Sequence, residues 1–372
     1  MENKKTKKIL IATGVFPPSI GGPATYSKLL LDELPHYGLK PEVLSFDSVM
    51  LFPWGIRHLI FFWKLYRKSA NTDLVYALDP VSVGLPASLA AMLRGKFFYL
   101  RVAGDYAWEQ ACQRYGVTDL LDIFLDKTSY PRGVKWLRRI EWSVARHADR
   151  IIVPSKYLKN VVKKWGIAEE KVSVIGNAPE GEMPEEKKEV LRGELALRKK
   201  TVITAGRLVP WKGFATLIEG LAPYLKEKDI ELLLAGSGPD ESKLKALVEK
   251  NDLSDNVTFL GALRRRDLLR YVKASDVFVL NTAYEGFSHQ ILEAMILGTP
   301  VVSTAIGGNQ ELIEDGEHGF LVPLNDIDAF KEKIDKLLFD DSVNQQISFH
   351  ARERASIFTK KRAVENFISL LP

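Results

Sequence analysis

Two glutamates with seven residues between them, Glu285 and Glu293, stand in the stretch Tyr284-Glu285-Gly286-Phe287-Ser288-His289-Gln290-Ile291-Leu292-Glu293-Ala294-Met295. The run before it, Asp276 to Asn281, is apolar and strand-like; the run after it, "QILEAMILG", is helix-like. A strand that passes through a Gly-containing loop into a helix ends at free N–H groups and a partial positive charge, which favours anions. Carboxylates accept hydrogen bonds from hydroxyls. A helix start flanked by two of them suits a ligand that is part phosphate and part sugar. Glu293 sits among Ile291, Leu292, Ala294 and Met295, so its helix reads as buried on most sides, and a charge there needs a partner or a ligand. The plain alternative is a solvent-facing helix residue. Gly286, Phe287, Ser288 and His289 would offer backbone amides, and His289 reads more readily as a helix cap than as a ligand contact.

A second group is cationic. Gly206-Arg207-Leu208-Val209-Pro210-Trp211-Lys212-Gly213 follows another strand-like run. Arginine grips phosphate in a planar fork and lysine acts as a point charge, so Arg207 and Lys212 form a candidate diphosphate clamp. Taken alone, the loop could equally be solvated. Gly307-Gly308 and Gly236-Ser237-Gly238-Pro239 also follow strands. The latter has Glu241 where a dinucleotide fingerprint needs its third glycine, and it has no P-loop Lys-hydroxyl pair. In the first half, Phe16 to Ala24 carries Gly21 and Gly22 ahead of "TYSKLLLDEL", and Arg101 to Glu109 carries Asp105, either a polar site residue or a helix N-cap. Trp108 and Glu109 are candidates to line a pocket. No His/Asp/Glu set shows metal-ligand spacing.

Positioning these loops requires strands. Short apolar runs alternate with longer amphipathic ones throughout, the pattern of βα units and parallel sheets. Strands are expected near Lys8–Thr13, Glu42–Phe46, Leu74–Leu78, Phe97–Val102, Arg150–Val153 and Val172–Ile175. Six more are expected near Thr201–Ala205, Glu231–Ala235, Val257–Leu260, Asp276–Asn281, Pro300–Ser303 and Phe320–Val322. The 372 residues suggest two domains. Composition shifts over Gly176–Lys200, so the first domain is read as residues 1–178 and the second as 186–356. Net charge is +5, compatible with anionic substrates or an anionic membrane surface and too small to imply nucleic acid. One cysteine, Cys112, fits a reducing, cytoplasmic setting and a small buried side chain. The basic then apolar start reads as a first strand, not a leader, and no run is long and apolar enough to span a membrane. Two basic-aromatic stretches, Met50 to Lys68 and Pro131 to Arg146, could rest on anionic lipid as a peripheral contact, although ordinary helices with one buried face are the favoured reading. Residues 116–133 read as an insertion that could shape an acceptor site.

The Glu285 to Glu293 stretch resembles the E-x7-E motif of retaining glycosyltransferases of family 4, whose GT-B fold pairs two Rossmann-like domains facing across a cleft. The resemblance extends to "VPSKYLKNVVKKWGI" and Asn177, with Ala178 where the family usually has glycine. It implies that Arg207 and Lys212 bind the diphosphate of a UDP-, GDP- or ADP-sugar, Glu293 the ribose and Glu285 the transferred sugar. It also implies that Gly21 and Gly22 lie near the donor phosphates and the acceptor, and that residues 357–372 form a helix packing back on the first, acceptor-binding domain. The family often carries a histidine near Asp105; this chain has none there, and Asp105 is the polar candidate. The implied reaction moves a sugar to an acceptor hydroxyl with retention and without a metal or other cofactor, in cell-envelope polysaccharide, lipid-linked or small-molecule glycan synthesis. A GT-B sugar-nucleotide epimerase and a non-catalytic sugar-nucleotide-binding subunit are the alternatives.

Overall fold

The computed structural model describes residues 7–19, 21–179 and 181–372. The chain divides into two units, one running to Gly176 and including Lys360–Pro372, the other Asn177–Thr359. In the first unit β1 (Lys8–Thr13), β2 (Lys40–Ser45), β3 (Leu74–Ala77), β4 (Phe97–Arg101), β5 (Arg150–Val153) and β6 (Val172–Val174) form a parallel sheet in the order β2-β1-β3-β4-β5-β6. In the second unit β7 (Thr201–Ala205), β8 (Glu231–Ala235), β9 (Val257–Gly261), β10 (Val277–Leu280), β11 (Val301–Thr304) and β12 (Phe320–Val322) form a parallel sheet in the order β12-β11-β10-β7-β8-β9. Helices cover both faces, which is why the strands are nearly unbroken apolar runs; every residue of β3, β7, β10 and β11 is buried. The architecture is the α/β, doubly Rossmann-like one expected from the alternation of apolar runs.

Each sheet has one place where strand order reverses. The second unit lays β7, β8 and β9 outward, then returns to put β10 on the other side of β7. The loops after β7 and β10 therefore leave the sheet toward opposite faces and open a crevice at its carboxyl edge, where α/β sheets bind ligands. In the first unit the same reversal lies between β1 and β3.

The compositional break at 176–200 is less of a linker than its charge suggests. Lys188–Glu194 is a helix, and Leu191 and Leu197 join the apolar layer formed by Ile291, Leu292 and Met295. Lys188 and Arg192 reach Asp276 at 2.7 and 3.2 Å. The last helix, Lys360–Ser369, belongs to the first unit. Its Phe367 is fully buried and stacks on Tyr76 at 5.1 Å, and Tyr99 Oη donates to the Leu370 carbonyl.

Candidate functional site

The reversal between β7 and β10 gathers the charged residues singled out in the sequence. Gly206–Gly213 leaves β7 and Asn281–Ser288 leaves β10. Ala283 N donates to the Trp211 carbonyl at 2.7 Å, and Thr282 Oγ1 to the Tyr284 carbonyl at 2.7 Å. Gly213 has φ +63° and lies so close to Asn281 that a Cβ would overlap its carbonyl oxygen, so glycine is required there on two counts. The flanking loops close around this pair. Leu208 N donates to the Ser237 carbonyl at 3.0 Å, and Gly308 N to the Glu285 carbonyl at 2.9 Å. A Cβ at Gly308 would overlap the Gly286 carbonyl oxygen. The loops at Gly236–Pro239 and Gly307-Gly308 thus brace the motif loops backbone to backbone.

Within this frame Lys212 Nζ meets Glu285 Oε2 at 2.5 Å, with only 13% and 15% of the side chains exposed. Arg207 is exposed and has no ion pair or side-chain hydrogen bond among the described residues. One cation is committed to a carboxylate and the other points to water, both at the carboxyl edge of the sheet. An anion arriving here would find Arg207 available and would compete with Glu285 for Lys212.

The helix His289–Leu297 starts directly beyond Glu285. Its cap is Ser288, fully buried, whose Oγ accepts from Ile291 N at 3.3 Å; His289 is the first helical residue and not the cap. Phe287 is buried against Phe358 at 5.3 Å, and its carbonyl accepts from Asn177 Nδ2 at 2.9 Å. Glu293 is 1% exposed and forms an ion pair with Arg265, the first residue of the helix Arg265–Ala274. The burial inferred from its apolar neighbours is real, and the partner that burial demands is a residue the sequence reading passed over. The only signal was a run of three arginines, Arg264–Arg266, opening a helix after β9.

In the first unit Gly21 closes the loop after β1, and Gly22 begins the helix Gly22–Glu33; Ile20, between Ser19 and Gly21, lies outside the described residues. Asp105 is found as the helix N-cap, the plain alternative that the sequence offered. Its Oδ1 accepts from Trp108 N at 2.8 Å as the N-cap of the helix Tyr106–Tyr115, its Oδ2 accepts from Trp165 Nε1 at 3.3 Å, and it is 1% exposed. Glu141, also fully buried, accepts from Tyr106 N at 2.9 Å and Ala107 N at 3.4 Å. Two carboxyls thus share one helix start. Burial pushes Asp105 up to about 6 and, with the charge of Asp105 beside it, holds Glu141 well above the usual carboxylate range. Trp108 likewise belongs to the core, 2% exposed with Nε1 donating to the Asp119 carbonyl at 2.8 Å.

The carboxylate at the β1/β3 reversal is Asp79. Its Oδ1 accepts from Val81 N and Ser82 N at 2.9 and 2.6 Å, while Oδ2 faces Gly14 on the loop after β1. Burial raises its pKa. A single acidic residue closing the apolar run of β3 was the signal that could have marked it. Among the described residues one trio, Glu314, Glu317 and His318, brings potential metal ligands within 4.8 Å of one another, a grouping that sequence spacing did not reveal. It precedes β12, at the edge of the sheet opposite the charged loops.

Residues 185–354 match the family described as glycosyl transferases group 1, and residues 20–178 match glycosyltransferase family 4. The chain is 32% identical over 171 residues to the lipopolysaccharide core biosynthesis glycosyltransferase LpsE of Rhizobium meliloti, covering 46% of this chain and 49% of that one. It is 28% identical over 183 residues to 2-deoxystreptamine N-acetyl-D-glucosaminyltransferase of Niallia circulans, covering 48% and 46%. The matches thus span about half the length of these relatives. Among solved structures, Anabaena HepE in complex with UDP and glucose superposes with a TM-score of 0.76 at 20% identity over 98% of both chains. Sucrose-phosphate synthase from Thermosynechococcus elongatus superposes with 0.79 at 20% identity, again over 98% of both. The first unit matches one of these family models and the second unit the other, and the chain belongs to the glycosyltransferases of group 1 and family 4, with the GT-B fold.

Proposed function

We propose that this chain is a retaining glycosyltransferase that moves a sugar from a nucleoside diphosphate sugar to an acceptor hydroxyl. The observation that carries the reading is the Lys212–Glu285 pair at the β7/β10 reversal with Arg207 exposed on the same loop as Lys212. Arg207 and Lys212 bind the diphosphate, with the amides of Gly286, Phe287 and Ser288 at the start of the following helix. Glu285, released from Lys212, holds the hydroxyls of the transferred sugar or stabilises positive charge at its anomeric carbon. Glu293 accepts from the ribose hydroxyls while keeping Arg265 as its counter-charge.

In the proposed step the bond from the anomeric carbon to the diphosphate oxygen breaks, and the acceptor oxygen bonds to that carbon on the same face. The acceptor's proton passes to the departing phosphate oxygen. Two protein cations and a helix start stabilise the charge that builds on the leaving diphosphate, the place a divalent metal takes elsewhere. Acceptor binding is assigned to the first unit, where Gly21, Gly22 and Asp79 lie at that sheet's own reversal, and Asp105 is taken up as a buried helix cap. Support comes from relatives named for sugar transfer, among them LpsE and a Campylobacter jejuni enzyme named as an N-acetylgalactosaminyltransferase acting on a diphospho-undecaprenol, and from HepE seen with UDP-glucose.

The test is donor turnover with and without added acceptors, followed by NMR of the anomeric configuration. Transfer with retention is the expected result. Conversion of the donor sugar without acceptor would assign an epimerase instead, and donor binding with no turnover under any condition would assign a binding subunit.

A further inference from the structure

The helix Trp54–Ser69 departs from the pattern of a surface helix. Its inner side is apolar, with Phe61 and Leu65 fully buried. Its outward stripe, where charged residues are expected, is apolar too: Ile56, Leu59 and Trp63 are 50%, 64% and 58% exposed. Met50, Leu51 and Phe52, just ahead of it, are exposed as well, Leu51 completely. The neighbouring helix Gly84–Arg94 repeats the anomaly with Leu89, Met92 and Leu93 facing water, and Phe97 follows. The two helices pack side by side. Arg94 joins them, its guanidinium 3.8 Å over the Tyr66 ring and its Nε donating to the Tyr66 carbonyl at 3.1 Å. The apolar stripes therefore lie on adjacent helices of one unit.

Charge along these two helices is positive, although Lys68 is paired with Glu42 on β2. No aspartate or glutamate occurs from Ser48 to Thr72 or from Pro80 to Gly104, whereas Arg57, Lys64, Arg67, Lys68, Arg94 and Lys96 fall within those stretches. The other basic-aromatic helix, Arg132–His147, behaves ordinarily: Lys135, Arg139, Ser143 and Arg146 face water around a lone Trp136. Both helices thus have the one buried face expected of them, and the first adds an exposed apolar stripe.

We propose that the face formed by Met50–Phe52, the outer side of Trp54–Ser69 and the end of Gly84–Arg94 docks on an anionic bilayer surface. Exposed leucine, methionine, phenylalanine and tryptophan enter the acyl boundary, and the surrounding cations meet lipid phosphates. An apolar face across two packed helices is unusual on a free surface, and one bordered mainly by cations, among them Arg57, Lys64, Arg67, Arg94 and Lys96, complements a polyanionic sheet. A second copy would bring the same positive charge against itself. No helix among the described residues is long and apolar enough to cross a membrane, so the contact is peripheral. The inference requires neither donor nor acceptor and stands apart from the transferase reading.

The experiment is co-sedimentation of the whole chain with phosphatidylcholine vesicles, with and without phosphatidylglycerol. Wild type is compared with the Leu59→Asp/Trp63→Asp double variant and with Trp136→Asp as a control. Binding to the phosphatidylglycerol vesicles, weakened by added salt, lost at least about tenfold in the double variant and kept in the control, is the expected result. Unchanged melting temperatures would show that the exposed substitutions leave the fold intact. Absence of binding to anionic vesicles, equal binding by the double variant, or self-association by light scattering that the double variant abolishes would each overturn the proposal.

Discussion

Replacing the two partners of the Lys212–Glu285 pair should shift nucleoside diphosphate affinity in opposite directions. The pair is 2.5 Å apart and little exposed, so each charge satisfies the other in the free protein. In Lys212→Met the phosphate loses a charge-assisted hydrogen bond, about 1.5–3 kcal/mol, and arrives beside an uncompensated Glu285. Affinity should fall roughly 10- to 150-fold at about 1.4 kcal/mol per factor of ten. In Glu285→Gln the phosphate no longer competes for Lys212, and the same interaction, now free to form, sets the upper limit of a gain on the order of tenfold. The free Glu285→Gln protein should be less stable by about 1–3 kcal/mol, because a largely buried ammonium loses its counter-charge. Titration calorimetry with UDP, GDP and ADP, alongside melting curves with and without ligand, reads both quantities. Equal losses of diphosphate affinity in the two variants would refute the competition, since neither charge would then be released by the ligand.

Breaking the Arg265–Glu293 pair by Arg265→Ala should cost about 2–4 kcal/mol by stranding a buried carboxylate, and adding Glu293→Gln should recover much of it; denaturant melts of the four-member cycle test this. Asp105 is held near 6 when folded against 3.8 otherwise, so the folded chain binds the extra proton between those values. Its contribution to stability is therefore greatest below pH 4 and is lost as pH rises through about 6. Asp105→Asn keeps an oxygen for Trp108 N and removes the titration, so the stability difference between it and wild type should move in its favour across that window. Burial pushes the Cys112 thiol up to about 12, and labelling of the native protein at neutral pH should be far slower than of the denatured chain; rapid native labelling would contradict that environment.

The sheets were legible because parallel strands buried on both faces leave little room for anything but apolar runs. All twelve expected strands occur, and the largest displacement of an edge is at β2, which starts at Lys40 instead of Glu42. The charged loops were legible for a related reason: a cation or carboxylate just past such a run lies on the ligand edge. What sequence could not give was long-range pairing. Nothing local announces that Lys212 reaches Glu285 across 73 residues, or that Arg265 neutralises Glu293. Asp105 stayed ambiguous because an N-cap and an acceptor-binding aspartate look alike until Trp165, 60 residues away, is seen to donate to its second oxygen. The outward apolar stripe of Trp54–Ser69 was hidden because the sequence does not say which of its apolar residues pack inward and which face water.

The donor site is tested most directly by calorimetric titration of the wild-type chain and Arg207→Ala with UDP-, GDP- and ADP-sugars in metal-free buffer. Selective binding of one donor family, weakened at least about tenfold in Arg207→Ala, is the predicted result. Binding that Arg207→Ala leaves unchanged, or no binding of any donor, would contradict the diphosphate clamp on which the transferase reading rests.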